Sequence, residues 1–293
     1  MSINKKNPDY SKITYDDILK CKNISDEMVD KEFKKLKKLD NNKNTRSFCG
    51  NKIIYNYVFE NMLNTKRDTK NYFTLKEIFE DEDKKKYWIN QTIKMNRRKK
   101  LEYIEPVDIY ECHRLCKGSI NTFKSGTVRY LIKKFNGKSL LDFTAGWGGR
   151  LLGSRSMGIE YTGIDTNINL KEPYKKMCKK FGGKMIFKSC LDVDFSKINY
   201  DFVLTSPPYI NIEKYENMKL FDSKELYYKE FLIPMINKSL KHIKNNGTVC
   251  INISNYMYDD YIKYGGKKCY EKIDLLQQLG GKSNKEIVYC FKN

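Results

Sequence analysis

The chain has 293 residues, enough to bury a full core and to divide into two units, and carries a net charge of +20 from 56 Lys/Arg against 36 Asp/Glu. No apolar run reaches the length of a membrane helix, and the opening Met1-Ser2-Ile3-Asn4-Lys5-Lys6 lacks the apolar core of a signal peptide. Nine cysteines without any C-x-x-C spacing argue for free thiols in a reducing compartment, so the expectation is a cytoplasmic chain with no membrane partner.

The charge points to a polyanion. A surface with this excess of bases attracts phosphate backbones and gains from the counterions they release. Lys far outnumbers Arg, as an AT-rich coding bias would produce, but that bias does not explain the excess of bases over acids.

Residues 1–115 read as a smaller, helical, basic domain. Residues 1–100 hold 25 Lys/Arg against 15 Asp/Glu, so half of the excess sits in about a third of the length. Ser25 is placed to cap a helix with Asp26 and Glu27 in its first turn, and Ile24, Met28, Phe33 and Leu36 follow near helical spacing. Lys31, Lys34, Lys35, Lys37 and Lys38 crowd its other side. Thr74-Leu75-Lys76-Glu77 is a capping box that opens a second helix. The densest basic run, Arg97-Arg98-Lys99-Lys100, is the expected contact to nucleic-acid backbone; a single such run is more often a solvated helix face. Cys112, His113 and Cys116 are close enough to suggest a metal. With only two histidines and no second cysteine pair, none is expected.

Residues 116–293 alternate strand and helix, which implies a mainly parallel twisted sheet with crossover helices, a Rossmann-like α/β fold. Strands are expected near 139–144, 160–164, 184–188, 201–205, 247–253 and 286–291, and Lys224 to Ile243 gives the clearest helix. The apolar run Ser139-Leu140-Leu141-Asp142 leads into Phe143-Thr144-Ala145-Gly146-Trp147-Gly148-Gly149-Arg150, whose glycines allow close approach of backbone to a ligand. Asp165 ends the next strand, where doubly wound sheets hydrogen-bond a ribose, and Asp192 follows the third. The fourth strand ends in Ser206-Pro207-Pro208-Tyr209. Two prolines stiffen that corner and remove backbone donors, leaving carbonyls available beside an aromatic face. Alone, such a tetrapeptide is equally a stiff turn; Trp147 is expected to pack structurally. At the end of the fifth strand, Asn252, Ser254, Asn255 and Tyr256 stand near the ligand side, with Tyr256 or Tyr258 as an opposite wall.

The ordered set of glycine loop, Asp165, Asp192 and Ser-Pro-Pro-Tyr resembles the S-adenosylmethionine-dependent amino-methyltransferases that act on adenine N6 or cytosine N4 in nucleic acids. The resemblance covers roughly residues 118–293. It implies a cofactor site made of Asp142, Phe143, Thr144, Ala145, Gly146 and Gly148, with Asp165 on the ribose and Asp192 near the adenine. The stretch Asn121 to Arg129 matches the helix that covers the methionine end, which adds Lys124, Ser125 and Thr127. Ser206, Pro207, Pro208 and Tyr209 are then catalytic, with the loop from Asn211 to Met218 closing over the base. Two positions depart from the pattern: Phe143 replaces a proline, and Ser206 stands where Asp or Asn is common. The resemblance implies a nucleic-acid partner, DNA ahead of RNA, and leaves open adenine or cytosine and a homodimer or partner subunit. Glutamine methylation in a protein and a non-catalytic nucleic-acid-binding subunit are the alternatives; the first leaves the charge unexplained.

Overall fold

The computed structural model describes residues 9–45, 47–67, 72–98, 103–117, 120–208, 213–214, 219–275 and 286–292. Seven strands form one sheet: β1 (Ser139–Asp142), β2 (Glu160–Asp165), β3 (Lys184–Phe187), β4 (Phe202–Thr205), β5 (Thr248–Ser254), β6 (Glu271–Asp274) and β7 (Glu286–Phe291). Their spatial order is β3-β2-β1-β4-β5-β7-β6. The first five run parallel, and β7 enters antiparallel to β5 and to β6. The expected Rossmann-like α/β sheet is therefore present. The order reverses between β1 and β4, which opens a crevice at the carboxyl ends of those strands.

Alternation across the sheet builds two apolar layers, because successive strand residues point to opposite faces. Leu140, Phe202, Leu204 and Cys250 face one layer, while Leu141, Val203, Val249 and Ile251 face the other. The first layer receives α5 (Ser125–Phe135), α6 (Gly149–Arg155) and α7 (Lys171–Phe181); the second receives α8 (Ile233–His242) and α9 (Asn255–Lys263).

The region before residue 115 contributes α1 (Asp26–Lys38), α2 (Asn51–Leu63), α3 (Glu82–Arg98) and α4 (Pro106–Lys117). Ser25 caps α1 through the Met28 N–H, and Thr74 and Glu77 form the reciprocal capping box that opens Leu75–Phe79. Of the expected inward face of α1, Leu36 is buried and Ile24 and Phe33 pack against the core, with Phe33 and Phe181 ring centroids 4.5 Å apart; Met28 is 39% exposed, and Val29 and Glu32 are buried in addition. Helix α2 is apolar nearly all round and accordingly buried. Its Ile53, Ile54, Val58 and Met62 join the sheet layer, and its Phe59 and Leu63 join a separate cluster with Trp88, Ile89 and Ile109. Residue 115 therefore does not separate two cores: α1 and α2 are part of the packing of the sheet.

Two local features differ from the sequence reading. Lys224 to Ile243 is broken into Lys224–Tyr227, a π turn at Tyr228–Leu232, and α8. Pro234 explains the break, because it brings no N–H for an intrahelical bond and the turn before it widens, with the Ile233 N–H reaching the Tyr228 carbonyl. The edge strand β6 was not expected; only Ile273 of its four residues is buried, which leaves little apolar alternation to read.

Candidate active site

The site is built outward from the buried Asp142 at the end of β1. Its carboxylate is fully covered and meets Arg150 Nε at 2.7 Å, while Tyr161 (3.0 Å) and Thr205 (2.9 Å) donate hydroxyls to it. Burial acts against the charge of Arg150, but the Asp142 carboxylate outweighs it and holds the guanidinium pKa above its ordinary value. Arg150 also donates to the Thr144 carbonyl. Asp142, expected as a cofactor ligand, is thus consumed by a network that shapes the loop, and it does not line the cavity. Thr205 extends the same network to Thr144, with hydroxyls 2.5 Å apart and the Thr144 N–H donating at 3.2 Å. The glycine loop and the root of Ser206-Pro207-Pro208 are therefore fastened together.

The loop itself turns on Gly146 (φ +59°) and Gly148 (φ +90°), left-handed values that favour glycine. The Tyr174 hydroxyl clamps it from beneath, within 3.2 Å of the Ala145 carbonyl and 3.0 Å of the Gly146 carbonyl. Gly148 caps α6, and Gly149 passes so close to Phe123 that a Cβ would lie 2.0 Å from its carbonyl oxygen.

Above the loop lies a cavity of about 1480 Å³. Phe143, Thr144, Ala145 and Gly146 form its floor, with Asp165, Ser206, Pro207 and Pro208 at its sides. Lys124 and Thr127 reach it as expected, whereas Ser125 is buried, donating to the Gly149 carbonyl at 2.9 Å. Trp147 is buried in the apolar layer and shows one face to the cavity. Asp192 is exposed and stands outside the lining, where Ser189, Cys190 and Leu191 take its place; the short turn Cys190–Asp192 rotates its carboxylate outward. Tyr256 lines the cavity, while Tyr258 stacks on Tyr289 with ring centroids 3.9 Å apart and belongs to the core.

Asp165 accepts the Gly146 N–H at 2.7 Å and the Asn167 N–H at 2.8 Å, one on each oxygen. Burial raises its pKa and these two bonds lower it; burial prevails, leaving a value of about 6. At the motif end, the Ser206 hydroxyl donates to Asn252 at 3.3 Å and the Pro208 carbonyl accepts the Tyr227 hydroxyl at 3.0 Å. Asn252, which the sequence placed near the ligand side, meets the motif through Ser206, while Thr205, which its residue type alone did not signal, ties the motif's root to Thr144 and Asp142.

Tyr209 lies outside the described residues, as do Lys99 and Lys100; Arg97 and Arg98 end α3. Of the loop after the motif, Glu213–Lys214 pairs antiparallel with Lys66–Arg67 of the helical region, and the remainder lies outside the described residues. Cys112 is buried, and a ring nitrogen of His113 is bonded to the Phe73 carbonyl at 2.8 Å. Among the described residues no group of three or more His, Cys, Asp or Glu is arranged to hold a metal, and no helix is long and apolar enough to cross a membrane.

No protein-family model matches the chain, and no curated protein matches it in sequence. Part of it superposes on solved structures. TrmN from Thermus thermophilus is 12% identical with a TM-score of 0.43, over 57% of this chain and 48% of that protein, so the match spans about half of TrmN. A S-adenosylmethionine-dependent methyltransferase from Clostridium acetobutylicum is 10% identical with a TM-score of 0.42, over 63% of this chain and 97% of that one. An RNA methyltransferase from Salinibacter ruber in complex with S-adenosylhomocysteine is 15% identical with a TM-score of 0.39, over 59% and 92%.

Proposed function

We propose that this chain transfers a methyl group from S-adenosylmethionine to the exocyclic amine of a nucleic-acid base, adenine N6 or cytosine N4, on DNA ahead of RNA. The observation that carries this reading is the meeting in one cavity of the glycine loop, the Asp165 carboxylate and Ser206-Pro207-Pro208, joined at their roots by Thr144 and Thr205. The residues fit the cofactor. Each Asp165 oxygen accepts one N–H and keeps lone-pair capacity for a ribose hydroxyl. Phe143 and Leu191 offer apolar wall for an adenine, and the loop backbone at Ala145 and Gly146 admits close approach.

When bound, S-adenosylmethionine supplies an electrophilic methyl group on a sulfonium. The task left to the protein is to hold a poor nucleophile, because the amine lone pair is conjugated into the base. The Ser206 oxygen and the Pro207 carbonyl accept hydrogen bonds from the two amine N–H groups, which localises that lone pair toward the cofactor side. No strong general base is required: the nitrogen becomes acidic once alkylated and gives its proton to water. Catalysis by positioning and preorganised dipoles suits a site where His113, the histidine on the cavity wall, is engaged by the Phe73 carbonyl. Tyr209 stacks on the base, and Arg97, Arg98, Lys99 and Lys100 contact phosphates. The net charge of +20 supports a polyanionic substrate.

The test is nucleoside mass spectrometry after incubation with isotope-labelled S-adenosylmethionine and separate pools of duplex DNA, single-stranded DNA and RNA. Label in N6-methyladenine or N4-methylcytosine supports the reading and names the base and polymer. Cofactor binding without label in any pool removes the nucleic-acid substrate. Tyr209→Ala should lose about 1–3 kcal/mol of stacking in the affinity for the target; a variant as effective as the parent removes that assignment.

A further inference from the structure

We infer that Asn252 is a positioning residue that makes the Ser206 hydroxyl an acceptor only, and so selects a base that presents an amino group. The inference rests on the reading above. Asn252 is 3% exposed on β5, between apolar neighbours Ile251 and Ile253, where a buried amide is unfavourable unless its polar ends are satisfied.

Its two ends are not interchangeable. The nitrogen lies 3.2 Å from the Ile287 carbonyl on β7, and a carbonyl can only accept. The NH₂ group is therefore directed at β7, and the amide oxygen is directed at β4. The β4–β5 register pairs Thr205 with Ile251, so the next residue, Ser206, comes beside Asn252, with Oγ 3.3 Å from Oδ1. An amide oxygen also can only accept, so the serine proton is committed to Asn252. That distance is long for a hydroxyl donor, and catalytic hydrogen bonds of this kind tighten in the loaded complex.

A freely rotating hydroxyl would serve as donor or acceptor with equal ease. Here the proton is spent, and the Ser206 oxygen presents lone pairs to the cavity it lines. The NH₂ of adenine or cytosine meets these lone pairs as a donor. The exocyclic carbonyl oxygen of hypoxanthine or uracil in the same place meets them as a second acceptor and is repelled. The pair thus discriminates by one hydrogen, without a charged group.

The experiment measures dissociation constants of oligonucleotides carrying matched target bases, cytosine against uracil or adenine against hypoxanthine, for the parent, Ser206→Ala, Asn252→Leu and the double variant. The parent should favour the amino-bearing base by roughly tenfold. Each single variant should lower the ratio by a similar factor, toward the preference that the Pro207 carbonyl alone sustains, and the double variant should add nothing. A variant that is merely damaged weakens both ligands and keeps the ratio, so a preserved ratio in Asn252→Leu overturns the inference. Additive losses in the double variant also overturn it, because Asn252 then acts independently of Ser206. These outcomes are distinct from failure of the methylation reading, which appears as a parent that labels no base.

Discussion

Asp165 carries a carboxylate that titrates near neutrality although two backbone N–H groups stabilise its charge. In the folded, ligand-free chain its pKa is about 6, against an ordinary value of 3.8, so the native state binds this proton more readily than the unfolded chain does. Its contribution to stability is therefore favourable at low pH and is lost as the pH rises from about 4 through about 6. On the proposed reading, Asp165 accepts ribose hydroxyls in its ionised form. Cofactor affinity should be level above pH 7 and fall about tenfold per unit well below pH 6; calorimetric titration across pH 5–8 measures it. Asp165→Asn should bind more weakly and lose the pH dependence, and a variant that keeps it would assign the proton elsewhere. Asp165 was readable from the sequence because a strand end followed by polar turn residues determines its place. Asp142 and Asp192 satisfy similar local patterns, yet one is bound by Arg150 and the other is rotated out by a short turn. The decisive partners are eight residues away on a helix in one case and a backbone rotation in the other. Removing one side of the buried Asp142–Arg150 pair should cost about 3–5 kcal/mol: Arg150→Met leaves a carboxylate without its counter-charge, which urea denaturation would register.

The element on which the proposed cofactor site depends is the turn from β1 into α6, and its tolerances are set by neighbouring backbone. A methyl group on Gly149 would press on the Phe123 carbonyl, a group that cannot swing aside as a side chain can. Gly149→Ala should therefore destabilise by about 1–3 kcal/mol and displace the loop, lowering cofactor affinity as well. Gly158→Ala is the control, since a Cβ there meets nothing within 4 Å and only the φ of +75° is unfavourable. Denaturation with and without cofactor compares them; equal effects in both would mean that the Phe123 contact is relieved by a small shift. Elements were legible where a pattern is local. The capping residues Ser25 and Thr74, the parallel strands and the glycine loop all announce themselves within a few residues. The edge strand β6 did not, because one buried residue in four gives no period, and the π turn before Pro234 keeps helical composition while changing the hydrogen bonding. On α1 the spacing located Leu36, Phe33 and Ile24 on the core side, while Met28 is exposed and its neighbour Val29 is buried.

For the whole molecule, the basic helical half and the sheet are held together by α2. Its Ile53, Ile54 and Val58 pack with Val128, Leu131 and Leu151 of the sheet layer, while Phe59 and Leu63 belong to the cluster around Trp88. The same helix supplies Asn51, Lys52 and Tyr55 to the cavity wall. The change of composition near residue 115 is real, but charge density reports which surfaces face solvent and carries little information on which helices share a core. A fragment of residues 116–293 would uncover the apolar surface of α5 and α6 that α1 and α2 now protect, and would lose one wall of the cavity. Such a fragment should aggregate or unfold without a cooperative transition, and should not bind S-adenosylmethionine, as circular dichroism and calorimetry would record. A fragment that melts cooperatively and keeps the affinity of the full chain would show that α1 and α2 only rest against the sheet. Loss of both properties would make the basic region a structural part of the catalytic body, so that whatever polyanion it contacts is held at a fixed position relative to Ser206.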